Sequence, residues 1–122
     1  MTVAPDPQTY DYAVFGILVY EFDADEIPKN DQKIRRALKR KQLGAFDEER
    51  IGQLRRLKDE LRRELQLGPK SKFYRGATSL YASPEDFEQA RLVDEMAQRY
   101  PKVDGVDLGR MLSLSLYVHY LR

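Results

Sequence analysis

Hydrophobic and polar positions alternate most regularly at the end of the chain. In Met111 to Leu121, MLSLSLYVHYL, Leu112, Leu114, Leu116, Val118 and Tyr120 share one parity, while Ser113, Ser115, Tyr117 and His119 share the other. A period of two places alternate side chains on opposite faces of a strand, so the pattern predicts a strand over 111–121 with one buried face. A second strand is expected over residues 10–22, YDYAVFGILVYEF, which is aromatic and β-branched; its centre, Ala13 to Val19, is apolar at every position and calls for a place covered on both sides. Phe73 to Ala82, FYRGATSLYA, has strand composition as well, with Gly76 marking a bulge.

Between these runs the period changes to that of helices. A helix is expected over 31–43, capped by Asn30 or Asp31, carrying Ile34, Ala37 and Leu38 inward and stopping at Gly44. Ile27-Pro28 reads as a break before it. Asp47 caps a helix over 47–67, where Ile51, Leu54, Leu57, Leu61 and Leu65 recur at spacings of three and four until Gly68-Pro69. These two helices could form a projecting hairpin. Ser83-Pro84-Glu85-Asp86 starts a third helix over 84–100, with Phe87, Ala90, Val93, Met96, Ala97 and Tyr100 as its buried stripe. Lys102 to Gly109 reads as a loop. The expectation is therefore α+β, a small mixed or antiparallel sheet with three helices in a ferredoxin-like or split βαβ arrangement. Residues 1–9, with Pro5 and Pro7, form a loose tail before a single domain over 10–122.

Charge changes the picture more than composition does. The net charge is +1, but residues 1–28 carry six acids and no base, whereas residues 29–75 carry sixteen bases and seven acids. The basic segment points to an acidic macromolecular partner, nucleic acid first and an acidic protein second. Its candidate contacts are Lys33, Arg35, Arg36, Lys39, Arg40, Lys41, Arg55, Arg56, Arg62 and Arg63, joined by Lys72, Tyr74 and Arg75, where an aromatic ring among cations suits base stacking. The plain alternative is a solvated helical face, because acids interleave with much of 47–67. Lys39-Arg40-Lys41 has no such neighbour.

The chain has no cysteine and one histidine, which excludes disulfides, thiolate chemistry and His-rich zinc sites. Carboxylates are the remaining metal ligands. Asp23, Asp25 and Glu26 follow the first expected strand and could hold Mg²⁺ for phosphodiester hydrolysis, or simply form an acidic turn; apart from that reading no cofactor is expected. YEFDAD and SLYASPEDFEQARL resemble, in scattered segments, the small dimeric nucleases of the CRISPR adaptation and virulence-associated types, which combine a ferredoxin-like fold with an aspartate at this location. The two long helices depart from that pattern, and the chain is not assigned to the family. His119 lacks a sequence partner for base catalysis and reads as a surface or interface residue.

Of the eight tyrosines, Tyr10, Tyr12, Tyr20, Tyr74, Tyr81, Tyr117 and Tyr120 fall in the expected strands and suit sheet packing or a partner surface. A terminal edge strand could pair with its twin, so a homodimer through sheet strands is expected as an alternative role. No run approaches the roughly 20 apolar residues of a membrane span, and the N-terminus has no signal core, which implies a cytoplasmic location. The reading that results is a non-enzymatic binding or adaptor protein.

Overall fold

A computed structural model of the chain describes residues 8–77, 80 and 82–121. Five α-helices run through these residues: α1 (Tyr10–Leu18), α2 (Ile27–Arg40), α3 (Glu48–Leu67), α4 (Gln89–Arg99) and α5 (Gly105–Leu121). Short 3₁₀ turns occupy Ala24–Glu26, Gly68–Lys70 and Pro84–Asp86. The described residues contain no sheet, only one isolated antiparallel bridge between Tyr74 and Phe87. The α+β, ferredoxin-like expectation is thus overturned, and with it the fold behind the nuclease resemblance and the strand edge that would pair in a dimer.

Each corrected strand has its own physical cause. The run over 10–18 is apolar at consecutive positions because α1 lies at the centre of the molecule, in contact with α2, α3 and α5. Tyr10, Asp11, Ala13, Val14, Phe15 and Leu18 are all buried. A short, uniformly apolar run suits an enclosed helix as well as an enclosed strand, so its composition does not separate the two. Thr9 starts the helix, its side chain accepting from the Tyr12 N–H at 3.1 Å.

In α5 the alternation of Leu and Ser overlies a helical stripe. Leu108, Met111, Leu112, Ser115, Leu116 and Val118 are buried at spacings of three and four. The segment that reads as a loop supplies the first turn. Asp104 Oδ1 accepts from the N–H groups of Val106 at 2.8 Å and Asp107 at 3.3 Å. The 73–82 strand is reduced to a corner: the Arg75 N–H donates to the Asp86 carbonyl at 2.8 Å and the Glu88 N–H to the Phe73 carbonyl at 2.6 Å. Thr78, Ser79 and Tyr81 of that expected strand lie outside the described residues, as do residues 1–7 of the expected tail.

The helical expectations shift at their ends. α2 begins at Ile27, so Pro28 stands in its first turn, where the missing N–H costs nothing, rather than breaking the chain. α3 carries the expected aliphatic stripe, and Asp47 caps it by accepting from the Arg50 N–H at 3.1 Å. Both helices pack on α1 rather than projecting as a hairpin. Ser83 and Asp86 form the expected capping box around a 3₁₀ turn, but Phe87 is extended and α4 starts only at Gln89. Gly44, at φ +123°, takes a conformation that a side chain resists and sits against the Tyr10 ring. A single apolar cluster draws residues from all five helices.

Candidate functional site

Thirteen cationic or aromatic side chains are the sequence candidates for a partner surface, and the fold separates them into three groups. The first turns inward. Glu21, just beyond α1, is 3 % exposed. Its carboxylate accepts from Arg55 through Nε at 2.9 Å and Nη2 at 3.0 Å, and from Asn30 Nδ2 at 2.9 Å. Lys58 Nζ lies 3.3 Å away, and Arg55 also donates to Asp31 at 2.8 Å. Arg62 donates to the Glu21 carbonyl at 2.8 Å and the Val19 carbonyl at 2.9 Å, which satisfies carbonyls at the C-terminal end of α1. Its guanidinium stacks over the Phe22 ring at 4.2 Å.

Arg55, Lys58 and Arg62 occupy one flank of α3 at successive spacings of three and four. Burial alone would raise the Glu21 pKa. The hydrogen bonds from Arg55 and Asn30, with the charges of Arg55 and Lys58, outweigh it and hold the carboxyl below the usual glutamate value. The same hydrogen bond to Glu21 raises the pKa of Arg55. Arg55 and Arg62 therefore bolt α3 to the end of α1.

The second group belongs to the corner around the β-bridge. Lys72 reaches Glu95 at 3.3 Å, Tyr74 meets Phe87 edge to face with centroids 5.7 Å apart, and Arg75 Nε donates to the Glu85 carbonyl at 2.6 Å. Arg56 and Arg63 are exposed on α3 among Asp59, Glu60 and Glu64, so the charge there is mixed.

The third group is the outer face of α2. Ile34, Ala37 and Leu38 face inward with Asn30, while Lys29, Lys33, Arg35, Arg36, Lys39 and Arg40 are exposed. At 100° per residue, Lys29, Lys33, Arg36 and Arg40 fall within a narrow arc, forming a row about 16 Å long. None of these six cations is ion-paired among the described residues. Arg35 instead stacks over Phe46 at 3.9 Å, and Lys41 at the helix end donates to Gln8 Oε1. The one acid within α2, Asp31, is turned to Arg55. Lys29 is a member of the row that sequence reasoning missed because Pro28 reads as a breaker; a proline in the first helical turn was the available signal.

Asp23 and Asp25 are exposed, one at the cap of the 3₁₀ turn that precedes α2 and one within it, where negative charge complements the positive end of the helix dipole. Glu26 accepts from the Phe22 N–H at 3.4 Å. Among the described residues no group of three or more Asp, Glu or His side chains draws together to hold a metal ion. No described helix is long and apolar enough to cross a membrane.

Comparison of the chain with known proteins finds no matching family model, no matching curated protein and no matching solved structure.

Proposed function

We propose that the outer face of α2 is a contact surface for an acidic macromolecule, nucleic acid before acidic protein, and that the chain acts as a binding or adaptor protein. The observation that supports this reading is the row Lys29, Lys33, Arg36 and Arg40, flanked by Arg35 and Lys39, with no acid among the described residues paired to it. Like charges at i, i+4 and i, i+3 repel within a helix by some tenths of a kcal/mol per pair, so the row costs stability unless a partner offsets it. A regular line of cations suits a polyanion whose charges repeat along its length. A regular row of Lys and Arg matches the repeating charges of a phosphate backbone, so binding is expected through phosphates and largely independent of base sequence. Asp23 and Asp25 beside the N-terminal end centre the interface on Lys33 to Lys41.

Binding of labelled single- and double-stranded DNA and RNA across a salt series tests the reading. Affinity is expected to fall steeply with salt, and Lys33→Ala, Arg36→Ala and Arg40→Ala together are expected to lower the duplex slope by about 2 to 3, near 0.9 for each phosphate no longer neutralised. Absence of binding to every probe at low salt, or a slope that this triple change leaves intact, overturns it.

A further inference from the structure

With His119 neutral, α5 carries only two charged side chains, Asp107 and Arg110, in a chain of which 34 % is charged. Asp107 is buried, where it accepts from Thr9 and meets Arg110 at 3.6 Å. Arg110 in turn stacks over the Tyr12 ring of α1 at 3.8 Å. The rest of the outward face of α5 is uncharged: Val106 is 73 % and Tyr117 56 % exposed, with Gly109 and Ser113 between them. No residue of the α2 row belongs to this face.

Positions 106, 109, 110 and 113 follow the spacing i, i+3, i+4, i+7, which on an α-helix surrounds a hole of the kind that receives a side chain from a facing helix. Together with Tyr12 these residues line an open groove. Gly109 leaves the hole deep. An added Cβ there meets no atom within 4 Å, so no packing among the described residues calls for glycine, although glycine inside a helix costs stability. Tyr117 stands one turn beyond Ser113, and Gly109 one turn before it. When two such helices run antiparallel about Ser113, residue 109 of one lies level with residue 117 of the other, and each tyrosine arrives over the opposite hole. A parallel pair would set tyrosine beside tyrosine and leave both holes empty.

From this self-complementary pattern we infer that the face is the contact between two copies of the chain: α5 packs on its twin about a two-fold axis at Ser113, and Tyr117 of each copy fills the hole between Val106, Gly109, Arg110 and Ser113 of the other. Such a contact is isologous and closes as a dimer. Arg110 is already paired with Asp107, so no unmatched charge is buried, and opposite ends of the two helix dipoles lie side by side. With the adjoining side of α1 the face is about 25 Å long and 15 to 20 Å wide, so the pair buries about 800 to 1,000 Å², at the lower edge of specific interfaces. The dimer is accordingly weak and populates at about 10 to 100 μM.

Sedimentation velocity of the full chain from low micromolar to millimolar concentration tests the inference. A reversible monomer–dimer equilibrium is expected that salt does not weaken, because no ion pair crosses the contact. Nucleic-acid binding through α2 responds to salt in the opposite way, so the two readings fail separately. Gly109→Leu fills the hole from its own side and points into open space; it is expected to keep the native circular dichroism and leave the chain monomeric. Tyr117→Ala removes the inserted ring and is expected to weaken association about tenfold or more. Ser113→Lys sets like charges on the two-fold axis and is expected to abolish the dimer; at an exposed position, it decides should Gly109→Leu fail to fold. A native chain that stays monomeric at millimolar concentration, assembly beyond dimers, or dimerisation undiminished by these changes overturns the inference.

Discussion

At the scale of single residues, Glu21 is the side chain on which most polar interactions converge. Replacing it with glutamine removes the buried carboxylate that Arg55 and Lys58 share and leaves them only the more exposed Asp31 and Asp59. Breaking a buried ion pair from one side costs about 3 to 5 kcal/mol, so Glu21→Gln is expected to lower the denaturation midpoint sharply. The pH dependence follows from the lowered pKa of this carboxyl. The unfolded chain binds its proton near the ordinary glutamate value of about 4.3, and the folded chain only below that. Stability from Glu21 is therefore complete above about pH 5 and is lost as pH falls through the lower, folded value. Denaturant titrations between pH 3 and pH 7 should show the native protein losing stability on the acid side, with a shallower fall in Glu21→Gln. An equal acid slope in both proteins would remove Glu21 as the cause.

Helix caps carry the predictions that belong to whole elements. Thr9 Oγ1 accepts from the Tyr12 N–H and donates to Asp107 Oδ2 at 2.6 Å, so one hydroxyl starts α1 and ties it to the first turn of α5. Asp104 caps α5 itself. Thr9→Ala and Asp104→Ala are each expected to cost about 1 kcal/mol, with Thr9→Ala the larger because buried Asp107 also loses a partner. Equilibrium unfolding of the two variants checks the order. A far-ultraviolet spectrum dominated by helix is expected of the native chain, and strong strand signal would contradict the assignment of α5.

For the molecule as a whole, the division of its cations sets two opposite expectations. Among the described residues the α2 cations are exposed and unpaired by acids, so Lys33→Gln or Arg36→Gln removes repulsion and is expected to leave Tm unchanged or raise it slightly at low salt while weakening nucleic-acid binding. Arg55→Gln and Arg62→Gln are expected to lower Tm and leave the salt slope of binding near its native value, since these side chains face inward. Thermal melts and binding isotherms on the same four variants separate a surface role from a structural one. A fall in binding for Arg62→Gln with no loss of stability would contradict the division.

By itself the sequence determined the span and buried stripe of α3, the Asp47 cap, the Ser83 capping box, the stop at Gly68 and the uneven distribution of charge. These depend on neighbours within a turn or two, where spacing and cap chemistry act locally. It also marked Lys33 to Arg40 as basic, but with Arg55 and Arg62 in the same set. Only the tertiary structure decided that α1 and α5 are helices. A uniformly apolar run satisfies any enclosed element, and in Leu112 to Tyr120 the alternation of Leu and Ser coincides with a helical stripe through Leu108, Met111, Leu112, Ser115 and Leu116. The outcome then depends on what lies alongside, and among the described residues what lies beside these segments is helix, with no strand to take up a ladder of backbone hydrogen bonds. The inward turn of Arg55, Lys58 and Arg62 was illegible for the same reason. Their acceptors, Glu21 and the carbonyls ending α1, lie 34 to 43 residues away in the chain and meet them only once α3 has packed on α1.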